Sequence, residues 1–306
     1  MNSDSTAPSL AGKTAIITGP TGLGFEIARG LAACGAAIIL AGRNPGKGGD
    51  AVAALPHAQA RFELLDLSDL TSIRHFAERM EVQSDAIDIL VNNAGVMMPP
   101  VRQTTADGFE LQFGTNHLGH FALTARLLPL LRRAADARVV TISSLAHMRG
   151  KIDIGDLQSE QRYRPFKAYA QSKLANLLFA FELQRQSDRH DWGVSSAAAH
   201  PGFARTDLIA NGPGRETWSA RMGGLLEHRL GQSAEAGAQP ALLAATTADS
   251  VAGGYYGPRG FMGLKGPPDR ARVASIAKDV GLSRQLWAIS ERLVGLSFAG
   301  EPLNVQ

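Results

Sequence analysis

Tyr169 and Lys173 are the two residues whose types and spacing point most directly to chemistry. They lie four positions apart, so a helix would carry both on one face. A free phenol titrates near ~10, and a neighbouring ammonium group favours its ionised form, so the pair could make tyrosine a working acid at neutral pH. The same spacing also fits an ordinary helix surface pair, and the residues upstream favour the chemical interpretation.

A glycine-rich turn lies near the start of the chain. The apolar run 14–18 is followed by Gly19-Pro20-Thr21-Gly22-Leu23-Gly24 and then by a helical pattern over 25–34. A turn between a strand and a helix presents backbone N–H groups to a phosphate, and its glycines allow close approach of a dinucleotide. The order of these elements therefore predicts dinucleotide binding.

Alternating elements must position these two motifs. Short, largely apolar runs predict strands at 14–18, 36–41, 60–65, 87–91, 137–143 and 192–199. Helical patterns occur at 25–34, 69–82, 108–133 and 165–186. This alternation predicts an α/β protein with a Rossmann-type, doubly wound parallel sheet of about seven strands and helices on both faces. We expect one domain over 12–295, tails at 1–11 and 296–306, and loops at 211–214 and 253–268.

Composition narrows the classes of function. The 306 residues are 44% hydrophobic and carry a formal net charge of +3, without a basic cluster interleaved with aromatics, so nucleic acid is not an expected partner. The single cysteine, Cys34, allows no disulfide within the chain and favours a reducing, cytoplasmic compartment. Residues 1–11 lack an apolar core, and the apolar stretch 32–41 is too short to span a bilayer, so no membrane anchor is predicted.

Ligands of such sheets bind beyond the carboxyl ends of the strands. Arg43 follows the second strand and is suited to a 2′-phosphate, with a solvated loop cation as the alternative. Asp66 could meet an adenine edge or cap the next helix. Further polar or small residues follow the later strands, in the segments Asn92-Asn93-Ala94-Gly95, Ser143-Ser144 and His200-Pro201-Gly202.

The order and the residue identities of these motifs resemble those of the short-chain dehydrogenase/reductase family. Within that family, they are most similar to the retinol-dehydrogenase-like and WW-domain-oxidoreductase-like group. The resemblance rests on the glycine turn, the Asn92 and Ser143 segments, and the segments Asn116-His117-Leu118-Gly119-His120-Phe121, Tyr169-Ala170-Gln171-Ser172-Lys173 and Gly253-Gly254-Tyr255-Tyr256-Gly257-Pro258. It covers roughly residues 11–295.

The resemblance implies a role for each matched residue. Tyr169 is the implied general acid/base, Lys173 the group that lowers its pKa and holds the nicotinamide ribose, Ser144 the anchor of the substrate carbonyl, and Asn116 the last member of a proton relay. Because Gly42 stands where NAD enzymes often carry an acidic residue and Arg43 follows it, we expect NADP(H) in preference to NAD(H). The residues expected to contact it are Gly19, Thr21, Gly22, Leu23, Gly24, Arg43, Asn44, Asp66, Leu67, Asn93, Ala94, Gly95, Tyr169, Lys173, Pro201, Gly202 and Thr206.

The substrate is expected to be an apolar or aromatic ketone, aldehyde or alcohol. The predicted contacts are Ser144, His147, Met148, Tyr169 and Phe203, with a lid over about 203–230 whose apolar side chains could instead fill the core or a subunit interface. Reduction of an activated C=C bond and a non-catalytic NADP-binding sensor or scaffold remain alternatives. No metal site is expected, because the histidines at 117, 120, 147 and 200 match motif or flanking positions.

Two further expectations concern the glycine turn and assembly. Only Pro20 and Thr21 separate Gly19 from Gly22, one residue fewer than the family pattern, which predicts weakened phosphate binding or a compensating shift of the helix start. Helices over 108–133 and 165–186 are expected to pair in a homodimer or homotetramer, because Leu177, Leu178, Phe179 and Phe181 leave the second helix apolar nearly all round.

Overall fold

The computed structural model describes residues 9–55, 58–203, 232–247 and 252–298. Its strands are β1 Thr14–Thr18, β2 Ala37–Gly42, β3 Ala60–Leu64, β4 Ile89–Asn92, β5 Ala137–Ile142, β6 Val194–Ala199, β7 Tyr255–Pro258 and β8 Pro268–Arg270. Its α-helices are α1 Leu23–Ala33, α2 Pro45–Ala53, α3 Leu70–Gln83, α4 Leu111–Phe113, α5 Gly119–Leu131, α6 Pro165–His190, α7 Ala234–Thr246 and α8 Val280–Val294.

The described strands form one sheet in the order β3-β2-β1-β4-β5-β6-β7-β8, parallel except for the antiparallel pair β7–β8. Strand order reverses between β1 and β4, where Ile17 pairs with Val91, and such a reversal opens a crevice at the carboxyl edge. The predicted doubly wound fold is confirmed, with eight strands rather than about seven. The loop predicted over 253–268 is wrong, because Tyr255 and Tyr256 pair with β6 and are buried.

Apolar side chains fill both sides of this sheet. One core contains Phe76, Phe121 and Trp287, and the other contains Ile27, Leu31 and Ala241. Leu10 belongs to the second core and Phe298 to the first, so packing extends beyond the predicted bounds of 12 and 295. No helix within the described ranges is long and apolar enough to cross a membrane.

The apolar face of α6 is covered within the same chain. Leu177, Leu178 and Phe179 are buried, and the Phe179 ring stacks on Trp287 of α8 at 5.8 Å between centroids. Phe298 packs on the same cluster, 4.5 Å from the Trp287 ring. Three of the four residues that suggested subunit pairing are therefore buried within the chain itself, and the argument from them is wrong. Homo-oligomerisation itself stays a prediction.

Candidate active site

A cleft of about 1050 Å³ lies along the carboxyl edge of the sheet. It brings together most of the predicted cofactor residues with Ser144, Tyr169, Lys173 and Phe203. Thr206 and most of the predicted lid fall outside the described residues. The described lining also includes apolar residues of the segment after β4, namely Val96, Met97, Pro99 and Pro100.

The glycine turn forms one end of this cleft. Gly19 has φ 84° and Gly22 has φ 54°, backbone conformations that favour glycine, and α1 begins directly after Gly22. A side chain at Gly24 would overlap the Gly19 carbonyl oxygen, so the turn is closed tightly on itself. No described side chain caps α1, which leaves its N-terminus available to a phosphate.

Arg43 and Lys47 place two cations beside the turn, and both line the cleft. Asn44 between them accepts a hydrogen bond from Lys47 N at 3.0 Å and so caps α2. At Gly42, a Cβ would come within 2.8 Å of Pro20 Cδ, so the proline ring occupies the space where an acidic side chain would begin. This corner of the cleft therefore favours an additional negative charge on the ligand.

Asp66 lines the cleft but does not cap α3. Its Oδ1 accepts from Ser68 N at 2.8 Å and from Ser68 Oγ at 2.6 Å. Asp69 caps α3 instead, accepting from Thr71 N at 2.8 Å. The capping alternative for Asp66 is therefore wrong, and its contact with an adenine edge stays a prediction.

Tyr169 and Lys173 lie one turn apart on α6, with Lys173 Nζ 5.8 Å from the centre of the Tyr169 ring. Burial raises the pKa of Tyr169 to about 12, and a hydrogen bond with Ser144 offsets only part of this rise. Loss of solvation disfavours the phenolate, and the role of Lys173 in lowering the pKa of Tyr169 stays a prediction. Burial also lowers the pKa of Lys173 to about 8, and its ammonium donates to the Ile142 carbonyl at 3.2 Å.

Asn116 lies in a π-helical turn, Gly114–Leu118, between α4 and α5. Its Oδ1 accepts from Val96 N at 2.7 Å, and its Nδ2 donates to Ser172 Oγ at 2.9 Å. A Cβ at Gly95 would come within 2.9 Å of that Oδ1, so the glycine lets the cleft floor approach the amide closely. Such wide turns are frequent at functional positions, and this one fixes Asn116 beneath the cleft.

His120 and Thr18 connect this turn to the cofactor side of the cleft. His120 Nδ1 lies 2.9 Å from the Asn116 carbonyl oxygen, and its Nε2 lies 2.9 Å from Thr18 Oγ1. The Thr18 hydroxyl oxygen in turn accepts from Asn93 N and Ala94 N, each at 2.9 Å. Sequence reasoning missed both residues as parts of the site, and only the recurrence of histidine one turn after Asn116 hinted at them.

His147 and Met148 do not line the described cleft. His147 is fully buried behind Ser144, with Nδ1 2.6 Å from the Ser144 carbonyl oxygen and 3.3 Å from the Tyr255 hydroxyl. Met148 is exposed. The first contact places His147 where it orients the backbone of Ser144, whereas sequence analysis predicted that it touches substrate.

Comparisons with known proteins agree with this geometry. The model of the short chain dehydrogenase family matches residues 13–215. Human retinol dehydrogenase 13 is 43% identical over 299 residues, covering 94% of this chain and 86% of the relative. Mouse polyprenol dehydrogenase is 39% identical over 298 residues, with coverage of 94% and 85%.

Two solved structures extend the comparison. A crystal structure of a Mycobacterium paratuberculosis protein is 41% identical, has a TM-score of 0.80, and covers 96% of this chain and 97% of its own. The Pseudomonas aeruginosa RhlG/NADP active-site complex is 27% identical with a TM-score of 0.64, covering 81% of this chain and 94% of its own.

Proposed function

The chain belongs to the short-chain dehydrogenase/reductase family, and we propose on that basis that it interconverts a carbonyl and an alcohol on an apolar or aromatic substrate, with NADP(H) as cofactor and Tyr169 as general acid/base. The coarser statement, an NAD(P)-dependent oxidoreductase that acts on CH–OH groups, follows from the family. The observation that carries the finer one is that Tyr169 and Ser144 line the same cleft as the glycine turn.

When bound, the nicotinamide supplies or accepts a hydride. In reduction, the Tyr169 hydroxyl donates a proton to the oxygen that gains charge as the carbonyl is reduced, and Ser144 Oγ donates a hydrogen bond to the same oxygen. Tyr169 carries its proton at neutral pH, as any phenol of ordinary or raised pKa does, so it enters this direction as the acid. Oxidation needs the phenolate, which the Lys173 cation favours by attraction.

Lys173 and Asn116 hold the other side of this proposed centre. Lys173 is buried with its ammonium at the end of β5, within reach of a ribose hydroxyl in the cleft. The Asn116 side chain is held by its hydrogen bonds with Val96 N and Ser172 Oγ. We propose that the two residues relay a proton between solvent and Tyr169, which receives one after reduction and loses one after oxidation.

Three features support NADP(H) over NAD(H). Arg43 and Lys47 line the corner where the second ribose would lie, and Gly42 has no room for a carboxylate against Pro20. Charge-assisted bonds from an arginine fork suit a 2′-phosphate. The solved relative with NADP in its active site is consistent with this preference.

An apolar substrate is supported by the cleft wall and by the relatives. Val96, Met97, Pro99, Pro100 and Phe203 give the cleft an apolar side. The named activities of the relatives concern retinol and polyprenol, both of them alcohols on largely apolar molecules. A cytoplasmic location stays a prediction that rests on cysteine usage alone.

A substrate panel tests the proposal. The purified protein is mixed with NADPH or NADH and with apolar ketones, aldehydes and enones, and with NADP⁺ and the matching alcohols, while nicotinamide absorbance is followed. We expect turnover of carbonyls and alcohols, faster with the phosphorylated cofactor. Turnover of enones alone would favour C=C reduction, and cofactor binding without turnover of any substrate would favour a sensor.

A further inference from the structure

The turn that joins β7 to β8 holds two adjacent apolar side chains in solvent. Phe261 is 80% exposed and Met262 is 74% exposed. Among the large apolar side chains of the described ranges, only Val82 is more exposed. Single exposed apolar residues are common on protein surfaces, but two neighbours at the tip of one turn form an apolar point that water solvates poorly.

The backbone of the turn fixes this exposure. Arg259 N donates to the Pro267 carbonyl at 2.8 Å, which closes the base of the turn, and Leu264 N donates to the Phe261 carbonyl at 3.1 Å. Met262 has φ 53°, a left-handed conformation uncommon for methionine. Leu264 lies on the inner side, where its carbonyl accepts from Phe203 N at 2.8 Å. Phe261 and Met262 therefore project from a turn that contacts Phe203, and Phe203 lines the cleft.

The net positive charge of the chain is concentrated in the segment that contains Phe261 and Met262. Residues 259–272 contain four cations, Arg259, Lys265, Arg270 and Arg272, and one acid, Asp269. The segment therefore carries a net charge of +3, which equals that of the whole chain. All four cations are exposed. One of them, Arg259, lies 3.8 Å from Asp269, and the rest of the chain is neutral overall.

We propose that Phe261 and Met262 are a membrane-docking tip that inserts at the surface of a bilayer with anionic headgroups. The surrounding cations would be attracted to the anionic headgroups, and the two apolar side chains would insert at the boundary between headgroups and acyl chains. A purely ionic partner such as a nucleic acid would leave the apolar tip unburied. Docking would bring the Phe203 end of the cleft to the bilayer, and this inference stands whether or not the proposed reaction is correct.

Vesicle co-sedimentation of the full chain tests the proposal. We expect binding to vesicles of phosphatidylcholine with about one third phosphatidylserine, and little binding to phosphatidylcholine alone or at high salt. Phe261→Ser combined with Met262→Ser is expected to weaken binding at least ~10-fold. Lys265→Gln and Arg272→Gln are each expected to weaken it about fivefold.

Val82→Ser is the matched control, since it removes an equally exposed apolar side chain near the far end of α3. It should leave vesicle binding unchanged. Absence of wild-type binding, or equal binding by every variant, would overturn the proposal. A dimer by light scattering that the double variant dissociates would show that a second copy covers the tip. A loss of thermal stability specific to the double variant would show that the chain itself covers it, and either result also overturns the proposal.

Discussion

Replacement of His120 by leucine should damage catalysis more than cofactor binding. The substitution conserves volume but removes both ring contacts, to the Asn116 carbonyl and to Thr18 Oγ1. An unsatisfied buried carbonyl costs about 1–3 kcal/mol, and a lost neutral hydrogen bond about 0.5–1.5 kcal/mol. The Thr18 hydroxyl can still turn to the Val91 carbonyl at 3.4 Å, so we expect a total near ~2–4 kcal/mol of unfolding free energy.

The catalytic consequence follows from the π-helical turn. Without the ring, the Asn116 carbonyl loses the donor that holds this wide turn open, and the Asn116 side chain shifts relative to Val96 and Ser172. A shift of about 1 Å at a positioning residue lowers kcat by about 10²-fold, while KM changes little. Burial lowers the pKa of His120 to about 4, so the ring is neutral and this effect should not depend on pH between 5 and 9.

Urea denaturation and steady-state kinetics on two further variants make the test specific. His120→Asn keeps a donor near the Nδ1 position and should recover part of kcat. Thr124→Val breaks neighbouring buried bonds, with the His120 carbonyl at 2.7 Å and Asn92 Nδ2 at 3.0 Å, but leaves both ring contacts in place. It should lose stability and keep kcat. Equal kcat for His120→Leu and Thr124→Val would refute the positioning role.

Three other perturbations probe the cofactor side. Arg43→Ala should weaken NADPH binding about 10- to 100-fold and leave NADH nearly unchanged, and equal losses in fluorescence titrations would show that Arg43 only supports its loop. A residue inserted between Gly19 and Gly22 should weaken NADPH binding, because Gly19 already packs on Gly24 in a closed turn; tighter binding by calorimetry would mean that the short turn is a defect. NADPH affinity should fall as pH rises through about 8, where Lys173 loses its charge, and Lys173→Arg should abolish that fall.

Local patterns predicted much of this architecture. The first six strands were predicted within two residues at each end. Five of them are largely buried and are short, mostly apolar runs, whereas the edge strand β3 is only half-buried. The strand Tyr255–Pro258 was missed because its glycines and proline are typical of loops, and only pairing with β6 makes it a strand. The contact between Phe179 and Trp287 could not be predicted either, because packing between distant segments of the chain decides what covers a helix face.

Some features of the candidate site could likewise be predicted from the sequence, and others could not. Residues at strand ends, such as Arg43, Asn93 and Ser144, could be placed on one edge because parallel topology brings those ends together. The raised pKa of Tyr169 could not be predicted, because it depends on how completely the folded chain removes water from the phenol. The contact between His120 and Thr18 joins residues 102 positions apart and has no local pattern.

Single-turnover kinetics of Tyr169→Phe test whether the Tyr169 hydroxyl transfers the proton. NADPH affinity is measured on the same variant, with an active carbonyl substrate from the panel. We expect the rate of NADPH oxidation to fall at least ~10²-fold while NADPH binding stays nearly intact, because the ring still packs and only the acid is removed. Retention of more than about a tenth of the wild-type rate would contradict it.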